Sequence, residues 1–477
     1  IAGVSVAGVA TGPYGSSRVI IRGNASLNGN NQPLYVIDGV PYDNTNQGSA
    51  GMWGGSDNGD GLSNINPDDI ENINVLKGVA ATALYGYRGG NGAILITTKS
   101  GAKSHGIGVE INNNFTVSNV IDDRDYQYQY GQGTQGVLPT TIDAANATAE
   151  SSWGPKISGQ DAVNMVGDHY AYVANKNQFK DFYKSGLNNQ TSVALLGGND
   201  KGHFRLGLSN LYLQTVVPNS DMKQQGINFN TTYNITNKLQ FSLTANYVFE
   251  NVQNRASFSD APGNFSASTL QIANTFDLRW LKPRVDSNRN ELYPGNQDIY
   301  FENPYFIAYD FQNATSRNRL TGGLTVKYNI LDWLYVQGQV TRDGYVFNSK
   351  YVTPNGVQYS NAGGGSISMN QVDHHEVNAN GIIGINKKIG TQFTVNAFAG
   401  AATQDFVDKT TSGGGGPFII PFFYSIGNVQ SRPYTYGYDH GRVNSIYGSL
   451  DVGFNNYLFL TATARNDWFS MLNPQTN

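Results

Sequence analysis

From Val109 onward, hydrophobic and polar residues alternate one for one. Val109, Ile111, Phe115 and Val117 are interleaved with Glu110, Asn112, Asn114 and Thr116, and Leu239, Phe241, Leu243, Ala245 and Tyr247 with Gln240, Ser242, Thr244 and Asn246. Phe204, Leu206 and Leu208 stand in the same way against His203 and Arg205. A period of two places one kind of residue on each face of a β-strand. Similar segments lie near 227–233, 324–330, 334–340, 377–385, 393–399, 446–454 and 458–464, with a weaker one at 191–196. Together they make about 11 segments, each near the roughly ten residues that a tilted strand needs to cross a bilayer.

Short polar turns at 198–202, 235–238, 331–333, 387–390 and 455–456 alternate with long connections at 118–190, 214–225, 251–319, 344–375 and 402–442. That alternation belongs to an up-and-down barrel with tight turns at one end and large loops at the other. A soluble sandwich has no reason to gather its long loops at one end. Single-chain bacterial barrels close with an even number of strands, and plugged ones use about 22, so about 11 strands amount to half a barrel. The expected class is β, a transmembrane up-and-down β-barrel with a small α+β plug, divided into 1–104 (plug) and 105–477 (first half of the barrel).

The first hundred residues follow another pattern. Asn66-Pro67-Asp68-Asp69 reads as a turn, because Pro fixes its own φ and drives Asn66 away from helix while Asp side chains accept from free backbone donors. A strand follows through Ile73 and Val75, then Gly78 breaks it. Ala80, Ala81, Ala83 and Leu84 form a short helix stopped by Gly86. The run Ala93-Ile94-Leu95-Ile96-Thr97-Thr98-Lys99 is too apolar for a half-exposed strand and belongs inside a sheet covered on both faces. Val19-Ile20-Ile21-Arg22-Gly23 and Leu34-Tyr35-Val36-Ile37-Asp38-Gly39-Val40-Pro41 supply two more strands, each punctuated by Gly.

Four of these runs carry a resemblance: VIIRG at 19–23, PLYVIDGVP at 33–41, INPDDIENINVLKG at 65–78 and NGAILITTKSG at 91–101. In this order and spacing they resemble the SusC/RagA branch of TonB-dependent outer-membrane transporters. Weaker similarity continues through Phe182-Tyr183-Lys184-Ser185-Gly186, Leu195 to Lys201, Pro218-Asn219-Ser220-Asp221 and Arg465-Asn466-Asp467-Trp468. Val79 and Tyr87 depart from the family pattern, at positions that bear on local packing. The resemblance implies active import of a bulky nutrient, a glycan or a peptide, across the outer membrane of a Gram-negative, Bacteroidota-type cell. It also implies two partners, a SusD-like surface lipoprotein and the TonB complex of the inner membrane. A TonB box and an N-terminal extension are expected before residue 1. A structural or assembly role in an envelope complex, without transport, is the alternative.

Composition narrows the field further. Lys plus Arg (31) nearly balances Asp plus Glu (35), so there is no electrostatic case for nucleic acid. The absence of cysteine excludes disulfides and thiolate metal sites. No apolar run approaches the roughly 20 residues of a membrane helix. A mean hydropathy of -0.38 does not argue against a barrel, since lipid-facing and lumen-facing residues average out. No G-x-S-x-G or H-E-x-x-H motif supports an enzyme, and no cofactor is implied.

By analogy with plugs generally, the loops at 11–17, 24–32 and 42–62 point into the lumen. They offer Tyr14, Asn28, Asn30, Tyr42 and Trp53, amides and aromatics suited to hydrogen-bonding and stacking on sugar or peptide. Arg22 and Lys77 stand just before glycines at strand ends, where related plugs place cations that latch to wall carboxylates. Asp373-His374-His375-Glu376 has metal-ligand chemistry, yet neighbours in a strand face opposite ways, so no metal site is expected there. Asp57-Asn58-Gly59-Asp60-Gly61 lacks the later bidentate Glu of a calcium loop.

Overall fold

The computed structural model describes residues 3–472 except 9–11, 13, 28–29, 102–105, 260–261, 293, 295–301, 360–362 and 456. In the plug, β1 (Val4–Gly8) pairs antiparallel with β2 (Ser17–Ile21). A second sheet contains β3 (Leu34–Ile37), β4 (Val40–Tyr42), β5 (Ile70–Leu76) and β6 (Ala93–Thr98) in the order β4-β3-β6-β5, with β3 parallel to β6. The apolar run at 93–98 is central, as its composition requires. Ile94 and Ile96 pack with Tyr35 and Ile37 on one face, while Ala93 and Leu95 pack with Leu34, Val36 and Ala81 on the other. Asn66 caps the turn before β5 by accepting from the Asp68 N–H, and helix α1 (Val79–Tyr85) ends at Gly86, whose φ of 63° suits glycine.

The wall is one antiparallel 11-stranded sheet among the described residues. Its strands are β7 (Gly106–Ser118), β10 (Gly186–Asn199), β11 (Gly202–Gln214), β12 (Asp221–Asn234), β13 (Leu239–Gln253) and β14 (Gln312–Leu331). They continue as β15 (Leu334–Thr353), β16 (Ser366–Ile389), β17 (Phe393–Gly415), β18 (Tyr434–Phe454) and β19 (Leu458–Phe469). A small hairpin, β8 (Asp161–Val163) with β9 (His169–Ala171), lies in the first long connection. Each wall strand pairs with its sequence neighbours, and the arc is open at β7 and β19. Alternation sets the two faces. On β14, Leu320, Leu324, Val326 and Tyr328 are exposed on the outside, whereas Arg317, Arg319 and Thr321 are buried against the plug.

All five long connections are shorter than the hydrophobic pattern suggests, with β10 beginning at Gly186 and β14 at Gln312. β12 begins at Asp221, β15 and β16 extend to Thr353 and from Ser366, and β17 and β18 extend to Gly415 and from Tyr434. The backbone ladder continues after the apolar alternation stops, because strands that rise above the lipid need no apolar outer face. At about 3.3 Å per residue, the 24 residues of β16 span roughly 79 Å, well beyond a lipid-facing band of about 25 Å even when tilted. The two largest connections fold on themselves. Phe182, Phe265, Phe276, Leu278, Leu281, Tyr305 and Phe306 make a buried core between the β7–β10 and β13–β14 connections, with helices α2 (Ile142–Ala147), α3 (Gln178–Phe182), α4 (Phe265–Gln271) and α5 (Pro304–Asp310) around it.

Candidate functional site

The seam between plug and wall is where buried polar chemistry concentrates. On β14 the inward positions Arg317 and Arg319 are two residues apart and therefore share a face. Arg319 binds Asp343 of β15 through Nε and Nη2, at 2.9 and 2.6 Å. The same Nη2 donates to the Asp43 carbonyl of the plug at 2.7 Å, and the guanidinium lies 3.3 Å from the centre of the Tyr42 ring. Asp343 accepts from the Asp43 N–H at 2.8 Å, so one wall ion pair grips a plug peptide from both sides. Tyr345 donates to the Asp43 carboxylate at 2.8 Å, and Gln47 donates to Tyr345 Oη at 2.8 Å. Burial would raise the Asp43 carboxyl, but His374, Arg319 and the hydroxyls of Thr45 and Tyr345 outweigh it and hold the group below the usual carboxylate range. Gly61 is required beside this knot: a Cβ there would stand 2.5 Å from Arg319 Nη1 and from the Asp43 carbonyl.

The same device recurs along the seam. Arg317 donates to the Asp60 carbonyl at 2.7 Å, and Arg255 to the carbonyls of Tyr14 and Asp57 at 3.1 and 3.2 Å. Glu250 of β13 accepts from Asn64 Nδ2 at 2.9 Å. Among the described residues two ion pairs cross directly from plug to wall, Arg88 to Glu376 at 2.7 Å and Arg205 to Asp69 at 2.7 Å. Gln190 donates to Asn66 Oδ1 at 2.6 Å, Ser192 to Asp68 at 2.7 Å, and Asn230 to Thr98 Oγ1 at 2.6 Å. Beside the seam a cavity of about 360 Å³ lies between Pro41, Tyr85 and Arg88 of the plug and Gln339, Asn380 and Gln404 of the wall.

The residues singled out from the sequence are spread over this seam. Tyr42 is 1% exposed, and its hydroxyl donates to the Gly61 carbonyl at 2.8 Å. Tyr14 is also buried, hydrogen-bonded to Ser220 and 5.0 Å beneath the Arg255 guanidinium. Both rings hold plug to wall. Asn28 lies outside the described residues. Asn30 is exposed, and its carbonyl accepts from Asn91 Nδ2 at 2.7 Å. Trp53 is 76% exposed at the tip of a tight turn closed by Gly51 N–H to Gly54 O at 2.8 Å. The flanks of that loop are fixed: Ser259 donates to the Met52 carbonyl, and Phe258 N–H to Gly55 O at 3.0 Å. Arg22 is exposed with a left-handed φ of 61°, and Lys77 is half-buried.

Strand alternation separates the 373–376 cluster as its sequence implies. His374 faces inward and pairs with Asp408 at 2.6 Å, and Glu376 faces Arg88. Asp57 and Asp60 act as a loop staple, accepting from the backbone and hydroxyl groups of Ser16 and Ser17 at 2.8–3.0 Å. The wall arginines were not singled out from the sequence, although the Arg317-Asn318-Arg319 spacing inside an amphipathic strand is a readable signal. Two cations on the lumen face need something to neutralise them.

The TonB-dependent Receptor Plug Domain model matches residues 1–93. Over 152 residues, 31% of this chain and 14% of the relative, the sequence is 40% identical to the TonB-dependent receptor SusC of Bacteroides thetaiotaomicron. Over 98% of this chain and 44% of the relative it is 23% identical to the TonB-dependent receptor P26 of Formosa agariphila. Among solved structures, the RagAB peptide importer in its closed-closed state superposes with a TM-score of 0.74 at 15% identity, covering 100% of this chain and 53% of that one. The open-open state gives 0.73. The chain thus spans less than half of these two curated relatives and about half of the RagAB chain, and the structural likeness establishes the fold.

Proposed function

Because this chain is of the SusC/RagA type of TonB-dependent outer-membrane transporters, we propose that the whole protein imports a bulky nutrient, an oligosaccharide or oligopeptide, with energy delivered through TonB. The carrying observation is the seam. The plug is held by buried ion pairs and hydrogen bonds, with Arg319–Asp343 clasping Asp43 at its centre. Such contacts are strong while dry, yet each partner can exchange to water once the plug shifts, so a directed pull can open the seam. A purely apolar seam would offer no such exchange.

The outer membrane holds no ATP, which makes coupling to the inner membrane through TonB the energy source. A SusD-like lipoprotein is the proposed lid over the extracellular connections, whose packed aromatic core gives it a firm surface. Trp53 and Asn30, both exposed, are the proposed plug contacts for substrate, and Arg22 and Lys77 are proposed as further latch cations. The reading is tested by isolating the full-length complex from cells and identifying copurified ligand by mass spectrometry, then measuring its uptake with TonB present and absent. TonB-dependent uptake of that ligand is the expected result. A complex that carries no ligand and supports no TonB-dependent growth would instead favour a structural role.

A further inference from the structure

β18 carries its outward residues at even positions. Val443 and Ser445 are buried inward, whereas Ile446 and Leu450 are exposed at 54% and 41%. From Ile446 to Phe454 the outward residues form an apolar band that rises roughly 20 Å at an ordinary barrel tilt, close to the height of the lipid-facing zone. Above the band the outward face turns polar with Asn444, then Arg442, whose guanidinium pairs with Asp405 at 2.7 Å, and then His440, which reaches the same carboxylate at 3.3 Å. Still on the outward face, Tyr438, Tyr436 and Tyr434 follow at 57%, 59% and 66% exposure.

Height excludes the usual reading of these rings. A girdle tyrosine sits at the edge of the apolar band, at headgroup level. Tyr438 stands eight positions beyond Ile446 and Tyr434 twelve, which places them roughly 20 and 30 Å above that edge. The neighbouring strands supply the charge. Residues directly opposite share a face, so register sets Arg442 in one outward row with Asp405 and Arg342, Tyr438 beside Lys409, and Tyr434 in a row that includes Lys350. Four cations, Arg342, Lys350, Lys409 and Arg442, thus share the outward face above the band with two carboxylates, Asp373 and Asp405.

We propose that this strip binds the phosphorylated saccharide of an outer-leaflet glycolipid, its phosphates on the Arg342/Arg442 row and its core sugars stacked on Tyr438, Tyr436 and Tyr434. The inference rests on the outer-membrane placement and on two features of the face: it is continuous with the lipid-facing band, and its excess of positive charge complements a phosphorylated headgroup. Tyrosine rings present flat apolar surfaces to the C–H faces of sugars while their hydroxyls stay hydrated. A stripe that rises from lipid into the sugar layer therefore has a matched partner along its whole length.

The test uses the full-length protein, purified in detergent, with native mass spectrometry of retained glycolipid. The probes are a rough-type lipopolysaccharide carrying inner-core sugars and lipid A alone. The wild type is expected to prefer the core-bearing probe by about tenfold, the scale of a lost aromatic anchor. Y434S/Y436S/Y438S should abolish that preference and leave lipid A retention unchanged, while the triple Tyr→Phe variant keeps it. R342Q/R442Q should weaken both probes. Equal retention of the core-bearing probe by wild type and the Ser variant overturns the proposal. So does a wild type that self-associates and a Ser variant that does not, with glycolipid retention intact, which would assign the strip to a second copy.

Discussion

Arg319 touches plug and wall with one guanidinium, so its removal damages two things at once. Arg319→Met leaves Asp343 buried without its cation and frees the Asp43 carbonyl, a loss of about 3 to 5 kcal/mol for a broken buried pair. Adding Asp343→Leu should restore much of that stability, because the orphaned charge is then gone. Thermal unfolding of the single and double variants in detergent checks this, and a double variant no more stable than the single would show that the pair is not the source. Trp53 behaves in the opposite way. At 76% exposure it contributes little to packing, so Trp53→Ala should leave the melting temperature unchanged and weaken substrate binding by about 1 to 3 kcal/mol. An earlier melt with normal binding would move the contact elsewhere.

At the scale of the element, the register of β13 and the packing of the β13–β14 connection can each be tested. Glu250 and Val252 face inward and buried while Tyr247 and Phe249 are exposed, which sets Leu243 on the lipid face and Thr244 on the lumen face. Leu243→Arg should cost roughly 2 to 4 kcal/mol near the midplane. Cysteine labelling from the lipid phase should mark position 243 and spare 244, and the reverse pattern would shift the register. In the connection, burial pushes the Glu302 carboxyl from 4.5 up to about 8, and burial next to Glu302 raises Glu291 as well. Glu302 accepts from the Gly263 N–H at 2.6 Å and Glu291 from the Asn303 N–H at 2.6 Å, so both tie the connection together. A raised carboxyl binds its proton more tightly in the folded state, so its stabilisation is complete below pH 4.5 and is lost as pH rises toward 8. Protection factors around 263–292, which divide out the intrinsic pH dependence of amide exchange, should therefore fall from pH 5 to pH 8, and Glu302→Gln should flatten that slope. An unchanged slope in the variant would remove Glu302 as its cause.

For the molecule as a whole, the polar seam and the long strands describe a wall that grips its plug without gluing it. Arg22, exposed on the plug, tests whether latching extends past the seam seen here. Arg22→Ala should leave the level of heat-modifiable barrel unchanged but raise sensitivity to large antibiotics that the outer membrane excludes. Unchanged sensitivity at equal expression would leave the latch to Arg88, Arg205 and Arg319.

Period-two alternation and turn chemistry determined the strand class, the outward face and the order of the wall, because each is decided by residues close in sequence. Glycine and proline punctuation likewise marked β5, α1 and β6 of the plug. Strand ends were not legible: above the lipid the outer face turns polar, and the backbone ladder of β15 to β18 continues with no hydrophobic signal to mark it. Nor was the seam. Tyr14 and Tyr42 have the composition of ligand contacts, and only the approach of Arg255 and Arg319, more than two hundred residues away, decides that they are buried packing groups. Which cation meets which carboxylate depends on how the sheet curves around the plug, a long-range property that no local pattern of residues encodes.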